Sequence, residues 1–204
     1  MLKQIKTALI LALAVPLLVG CYLPVRFDAE IELGRTGFYD IEFDGYMAAL
    51  PLYTDLQAGK LGEAEAAEKI ANTVADFRND TATQEAEYVR DGLFRVRWKR
   101  DGDLLKSKMV TFLRRNEKIF TLKYLKDQGR MVLEGVSITS ENVRRIQDAG
   151  LDSQGQLRLR TDARVIDHNA TAVKDVKGDN RTKVYIWDIK TLTDPSPYLA
   201  AVLR

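Results

Sequence analysis

Apolar and polar residues alternate strictly at the start of the pattern. Val25, Phe27, Ala29, Ile31 and Leu33 interleave with Arg26, Asp28, Glu30 and Glu32. A period of two describes a strand with one buried and one wet face. Gly34-Arg35-Thr36-Gly37 reads as a turn. Tyr39, Ile41 and Phe43 then alternate with Asp40, Glu42 and Asp44, so the two runs predict an antiparallel hairpin. The period changes next. Residues 47–60 suit a short helix starting near Pro51, because proline fits the first helical turn. Glu63 to Phe77 predicts the main helix. Ala67, Ile70, Ala71, Val74 and Phe77 recur at three- and four-residue spacing, and Glu63, Glu65 and Glu68 lie early, where the helix dipole favours acids.

Strand patterns return after residue 85. Phe94, Val96 and Trp98 alternate with Arg95, Arg97 and Lys99, between the turn signals Asp91-Gly92 and Asp101-Gly102. Leu104–Leu113, Ile119–Leu125 and Met131–Ile138 read as further strands, with Asp127-Gln128-Gly129 as the turn between the last two. A short helix follows, with Ser140 as its N-cap, Val143 and Ile146 inward and Gly150 as its C-cap. Leu157–Val165 and Val184–Trp187 complete the strands, and Tyr198–Leu203 reads as an edge strand. The predicted fold is α+β: a mostly antiparallel curved sheet with one main and one or two short helices packed on it. The whole reads as a single domain over residues 21–204, with 85–138 as a candidate β-rich lobe.

The first 20 residues stand outside this pattern. Lys3 and Lys6 precede an apolar run of 14 residues, Thr7–Gly20. That is too short for a spanning helix, which needs roughly 20, and it has the proportions of a secretory signal peptide. It ends Leu18-Val19-Gly20-Cys21, which resembles a bacterial lipobox. The small residue admits the backbone to a membrane-embedded protease, and the Cys thiol carries the diacylglycerol. The only Cys of the chain stands at the position such a motif requires. Two or more acyl chains anchor a protein stably. Tyr22, rather than Asp, follows the Cys. If the organism is Gram-negative, this favours the outer membrane, with the domain facing the periplasm.

Composition narrows the chemistry. One Cys and one His in 204 residues exclude an internal disulfide framework and a Cys/His zinc site within one chain. Of 31 basic residues, Lys3 and Lys6 lie in the leader, which has no acids. The other 29 balance 29 acids, so the formal charge of +2 says nothing about partners. Nucleic acid is an unlikely partner for an exported protein, and the basic run Arg95–Arg100 reads as a solvated strand face. Arg114-Arg115 reads as a turn.

The densest cluster is acidic. Asp28, Glu30 and Glu32 share one strand face, and Asp40, Glu42 and Asp44 share the polar face of its partner. Like charges opposite one another destabilise a sheet. A calcium-type site of hard oxygen ligands would relieve them. So would counter-charges on neighbouring strands, for which Arg95, Arg97 and Lys99 and the run Arg158, Arg160 and Arg164 are available. The second reading is preferred, since no Asp-x-Asp-x-Asp-Gly loop is present. His168 sits in Asp167-His168-Asn169, with a general-base role less expected than a strand-end one. No Gly-x-Ser-x-Gly elbow is present, no catalytic residue stands out, and no cofactor is implied.

Large apolar residues could line a cleft between sheet and helix. The candidates are Phe27, Ile31, Phe43, Val74 and Phe77, together with Trp98, Phe112, Phe120 and Trp187. A closed core is the simpler expectation for them. The C-terminal stretch resembles LppM-like lipoproteins in Ala163-Arg164-Val165-Ile166, His168-Asn169-Ala170, Gly178-Asp179-Asn180, Val184–Trp187 and Pro195–Leu199. That resemblance covers about a fifth of the chain and implies a compact, lipid-handling α/β domain behind a lipobox, with no catalytic residues to transfer. The expectation is a non-enzymatic envelope lipoprotein that binds a lipid or an envelope protein. A periplasmic hydrolase using paired carboxylates and a structural subunit of an envelope complex are the alternatives.

Overall fold

The most regular alternation in the chain forms the centre of the larger sheet. β1 (Tyr22–Leu33) and β2 (Phe38–Ala49) pair antiparallel around the Gly34–Gly37 turn, with Ile31 opposite Ile41 and Ala29 opposite Phe43. The computed structural model describes residues 22–114 and 117–203. The expected leader and its Leu18-Val19-Gly20-Cys21 motif lie outside the described residues, as does Arg115.

Two helices follow β2: α1 (Leu50–Gln57), with Pro51 in its first turn, and α2 (Glu63–Arg78). Next come β3 (Thr83–Arg90), β4 (Leu93–Asp103), α3 (Leu104–Ser107), β5 (Met109–Arg114), β6 (Glu117–Leu125) and β7 (Arg130–Gly135). α4 (Ser140–Asp148) leads into β8 (Gln154–Thr161), β9 (Arg164–His168), β10 (Ala172–Val176), β11 (Asp179–Ile189) and β12 (Tyr198–Val202). No helix among the described residues is long and apolar enough to cross a membrane.

The fold is α+β, and its strands divide between two sheets that do not close. The larger has the order β10-β11-β8-β1-β2-β4-β3 and the smaller β5-β6-β7-β12-β9. All pairings are antiparallel except β1 with β8. Inward residues of both sheets meet in one core. Phe43 of β2 lies 4.4 Å from Phe112 of β5, centroid to centroid, and Trp98 of β4 meets the same ring at 5.0 Å. The second sheet therefore covers the first where the sequence pattern expects helices. The stretch 85–138 supplies β3 and β4 to one sheet and β5, β6 and β7 to the other.

Several local differences have plain causes. α2 buries only Phe77, which packs on Tyr22 and Phe94. Ala67 and Ala71 stay exposed, because small side chains offer little area to remove from water. The N-cap of α4 is Thr139, whose hydroxyl accepts the Asn142 N–H. Leu104 opens α3 instead of a strand, since the Asp103 carboxylate caps the N–H groups of Leu105 and Lys106. Asp101-Gly102 lies within β4 and is not a turn. Gly102 is required there because a Cβ would lie 2.6 Å from the Tyr39 hydroxyl oxygen. The run from Leu157 to Val165 splits, β8 staying in the larger sheet and β9 crossing to the smaller. The C-terminal strand β12 is interior, between β7 and β9, with Leu199, Ala200 and Ala201 all buried.

A second, smaller core forms at one end. Leu23 and Ala48, paired across β1 and β2, turn away from the main core just before a β-bulge between Pro24 and Arg26. They pack with Leu50, Tyr53, Ile146 and Leu151 beneath α1 and α4. This end is where the sheets part.

Candidate functional site

Phe27 occupies an inward position of β1, and its neighbours on both adjacent strands are glycines. Gly45 of β2 and Gly155 of β8 are its register partners. A Cβ at Gly45 would sit 2.7 Å from the Phe27 Cβ, and one at Gly155 would sit 2.6 Å from its Cδ1. Glycine inside a strand weakens pairing and commonly marks a close approach. Here the two glycines admit a phenyl ring laid across the sheet. Phe27 thereby becomes part of the floor of a cleft.

The cleft has a volume of about 480 Å3 and lies where the two sheets diverge. Its first wall is the start of β1, with Tyr22, Leu23, Pro24 and Phe27, joined by Leu157 of β8. Ile119 and Phe120 of β6 and Val136, just past β7, form the second. α4 closes one side with Val143, Arg144 and Gln147, and the loop from Thr191 to Pro197 closes another. The size falls in the range of small-molecule sites, roughly 300–1,000 Å3. The walls are mostly apolar, and Asp194 is the only carboxylate among the described lining residues.

The loop over the cleft is held by specific hydrogen bonds. Asp152 accepts the Leu192 N–H at 2.7 Å and the Ser153 N–H at 2.8 Å. Burial pushes the Asp152 carboxyl up, but bonds from Leu192, Ser153, Thr191 and Gln147 outweigh it and hold the group below the ordinary carboxylate value. Asp194 accepts the N–H groups of Lys190 and Thr191. The Ser196 hydroxyl donates to the Val136 carbonyl. Asn169 ties the loop from behind: its Oδ1 accepts the Trp187 indole N–H at 2.7 Å and the Tyr198 N–H at 2.8 Å, while its Nδ2 donates to the Ser196 carbonyl. Gly135 approaches Pro197 so closely that a Cβ would meet its Cδ at 2.8 Å.

Of the nine apolar residues singled out in the sequence, Phe27 and Phe120 border the cleft. Ile31, Phe43, Phe77, Trp98, Phe112 and Trp187 are buried in the main core, and Val74 packs half-buried against it. Alternation identifies inward side chains but does not say where the facing layer ends. Pro24, Ile119, Val143 and the loop at 191–197 were not legible as cleft residues. The signal available was a glycine within each of two strands, Gly45 inside β2 and Gly155 at the start of β8.

The acidic residues form a separate surface. Asp28 is opposite Asp44, Glu30 opposite Glu42 and Glu32 opposite Asp40. Basic strands flank this ladder. Arg158 of β8 binds Asp28 and Glu30, and Arg160 binds Glu32. On the other side Arg95 and Arg97 of β4 bind Asp44, and Lys99 binds Asp40 and Glu42. Arg164 is no part of the stripe, since it sits on β9 in the other sheet. Among the described residues no group of three or more His, Cys, Asp or Glu is arranged to hold a metal ion. His168 ends β9, where its Nδ1 accepts the Ala170 N–H and its ring meets Tyr185 edge-on.

No protein-family model matches the chain, and no curated protein is similar to it in sequence. Among solved structures, the fold is similar to the NMR structure of the folded domain of LppM from Mycobacterium tuberculosis. The TM-score is 0.41 and the identity 12%, over 91% of this chain and 92% of that one.

Proposed function

We propose that this protein is a lipid-anchored lipoprotein of the bacterial envelope whose α+β domain binds lipid in the cleft between its sheets, without catalysis. The observation that carries this reading is the place of the cleft. Its edge is built by Tyr22, Leu23 and Pro24, the residues immediately after Cys21 of the lipobox-like motif. β1 is paired from Tyr22 onward, so no spacer separates an anchor at Cys21 from the apolar walls. A cleft so placed opens within reach of the membrane to which the anchor attaches. Each methylene transferred from water into it contributes about 0.8 kcal/mol.

The hydrolase alternative gains little from the geometry. The six clustered acids are engaged with Arg and Lys partners, and the cleft has one carboxylate among its described lining residues.

Two measurements test the proposal. Cys21→Ala should abolish membrane partition of the exported protein; retention in the membrane would remove the anchor from the reading. Native mass spectrometry of the detergent-extracted mature protein should show one further lipid beyond the anchor mass. Protein carrying the anchor mass alone, whatever lipid is offered, would refute lipid binding.

A further inference from the structure

Two polar side chains of the cleft lack partners that their surroundings would supply. Ser153 continues the inward parity of Gly155 and Leu157, borders the cleft and is 6% exposed. Its backbone N–H is bound by Asp152, but its hydroxyl makes no hydrogen bond among the described residues. A hydroxyl that borders the cleft without a protein partner is free to donate to an acceptor on a ligand. Arg144 is an exposed residue of α4 that borders the cleft, while its helix neighbours Val143 and Ile146 are buried. It is the only basic residue among the described lining residues, and no described carboxylate lies within ion-pair distance of it. Asp194, the single acid of the lining, is turned to the amides of Lys190 and Thr191.

We infer that the cleft takes one acyl chain of an anionic phospholipid, with Arg144 pairing the phosphate at the mouth and Ser153 donating a hydrogen bond to the acyl ester carbonyl. This rests on the lipid-binding reading above and adds the chemistry of the head. The apolar walls account for the chain. The ester carbonyl is an acceptor with no donor of its own, which suits a hydroxyl short of an acceptor. Guanidinium matches phosphate in charge and in the geometry of its N–H fork. The open volume of about 480 Å3 suits one chain with its head left outside.

The test uses the full mature lipoprotein in a nonionic detergent, offered equimolar phosphatidylglycerol and diacylglycerol of identical chains, with bound lipid read by native mass spectrometry. Phosphatidylglycerol should be retained about tenfold over diacylglycerol, which has the same chains and esters but no phosphate, the size of one charge-assisted hydrogen bond. Arg144→Glu should erase that preference without changing the melting temperature, since the side chain is exposed and unpaired. Ser153→Ala should weaken both lipids alike, by a few-fold, and leave the preference intact. Equal retention of the two lipids, or a preference that survives Arg144→Glu, would overturn the inference while lipid binding stands. Palmitate displacing phosphatidylglycerol at equal concentration would overturn the ester assignment. Failure to retain any of the three would instead refute the lipid-binding reading itself.

Discussion

Asn169 joins three places distant in sequence through one amide. Trp187 is 2% exposed, so its indole N–H depends on the Asn169 oxygen for a partner. The same side chain fixes the start of β12 and the Ser196 carbonyl. Asn169→Ala should therefore cost about 1–3 kcal/mol, the penalty of an orphaned buried donor, read as a fall in melting temperature. Asn169→Asp keeps the acceptor and loses only the donor to Ser196, so its loss should be smaller. The sequence pattern groups His168-Asn169-Ala170, Trp187 and Pro195–Leu199 without saying that they touch. A hydrogen bond across 18 residues leaves no mark in local spacing. Gly45 and Gly155 are a partial signal: each reads alone as a weak strand position, and their meaning comes from Phe27 lying between them.

At the scale of the element, charge is arranged by strand. The acidic faces of β1 and β2 oppose each other directly, an arrangement that destabilises a sheet unless neighbours relieve it. β8 and β4 provide the relief from either side. Arg158 is the most connected member, bound to Asp28 and Glu30. Arg158→Glu removes those pairs and adds a fifth acid beside Asp28, Glu30, Asp44 and Glu42. The expected cost is about 1–2 kcal/mol, recovered in part at about 1 M salt, where charges are screened within roughly 3 Å. Urea unfolding at low and high salt measures it; equal loss at both would mean that packing, not charge, holds Arg158. Alternation made the acidic and basic stripes readable. It could not reveal that β8 runs parallel to β1, because a parallel neighbour arrives through a long connection.

For the molecule as a whole, the aromatic chain Phe43–Phe112–Phe120, with Trp98 against Phe112, locks one sheet to the other. Phe112→Ala should cost about 3–5 kcal/mol, the range for a deleted core phenyl group. Unfolding should remain one transition, coincident by Trp fluorescence and far-UV circular dichroism, since both tryptophans, Trp98 and Trp187, lie in the shared core. Two separated transitions would show that the sheets unfold independently. By itself the sequence determined the α+β class, the hairpin of β1 and β2, the span of α2 and the charged strand faces. These follow from periodicity over a few residues, which states directly which side chains share a face. The tertiary structure alone decided that the strands form two sheets, that β12 is interior and that the sheets part beside Tyr22 to leave a cleft. Those features depend on which surfaces meet across long stretches of chain, and an inward face looks the same in sequence whether it meets another sheet, a helix or open space.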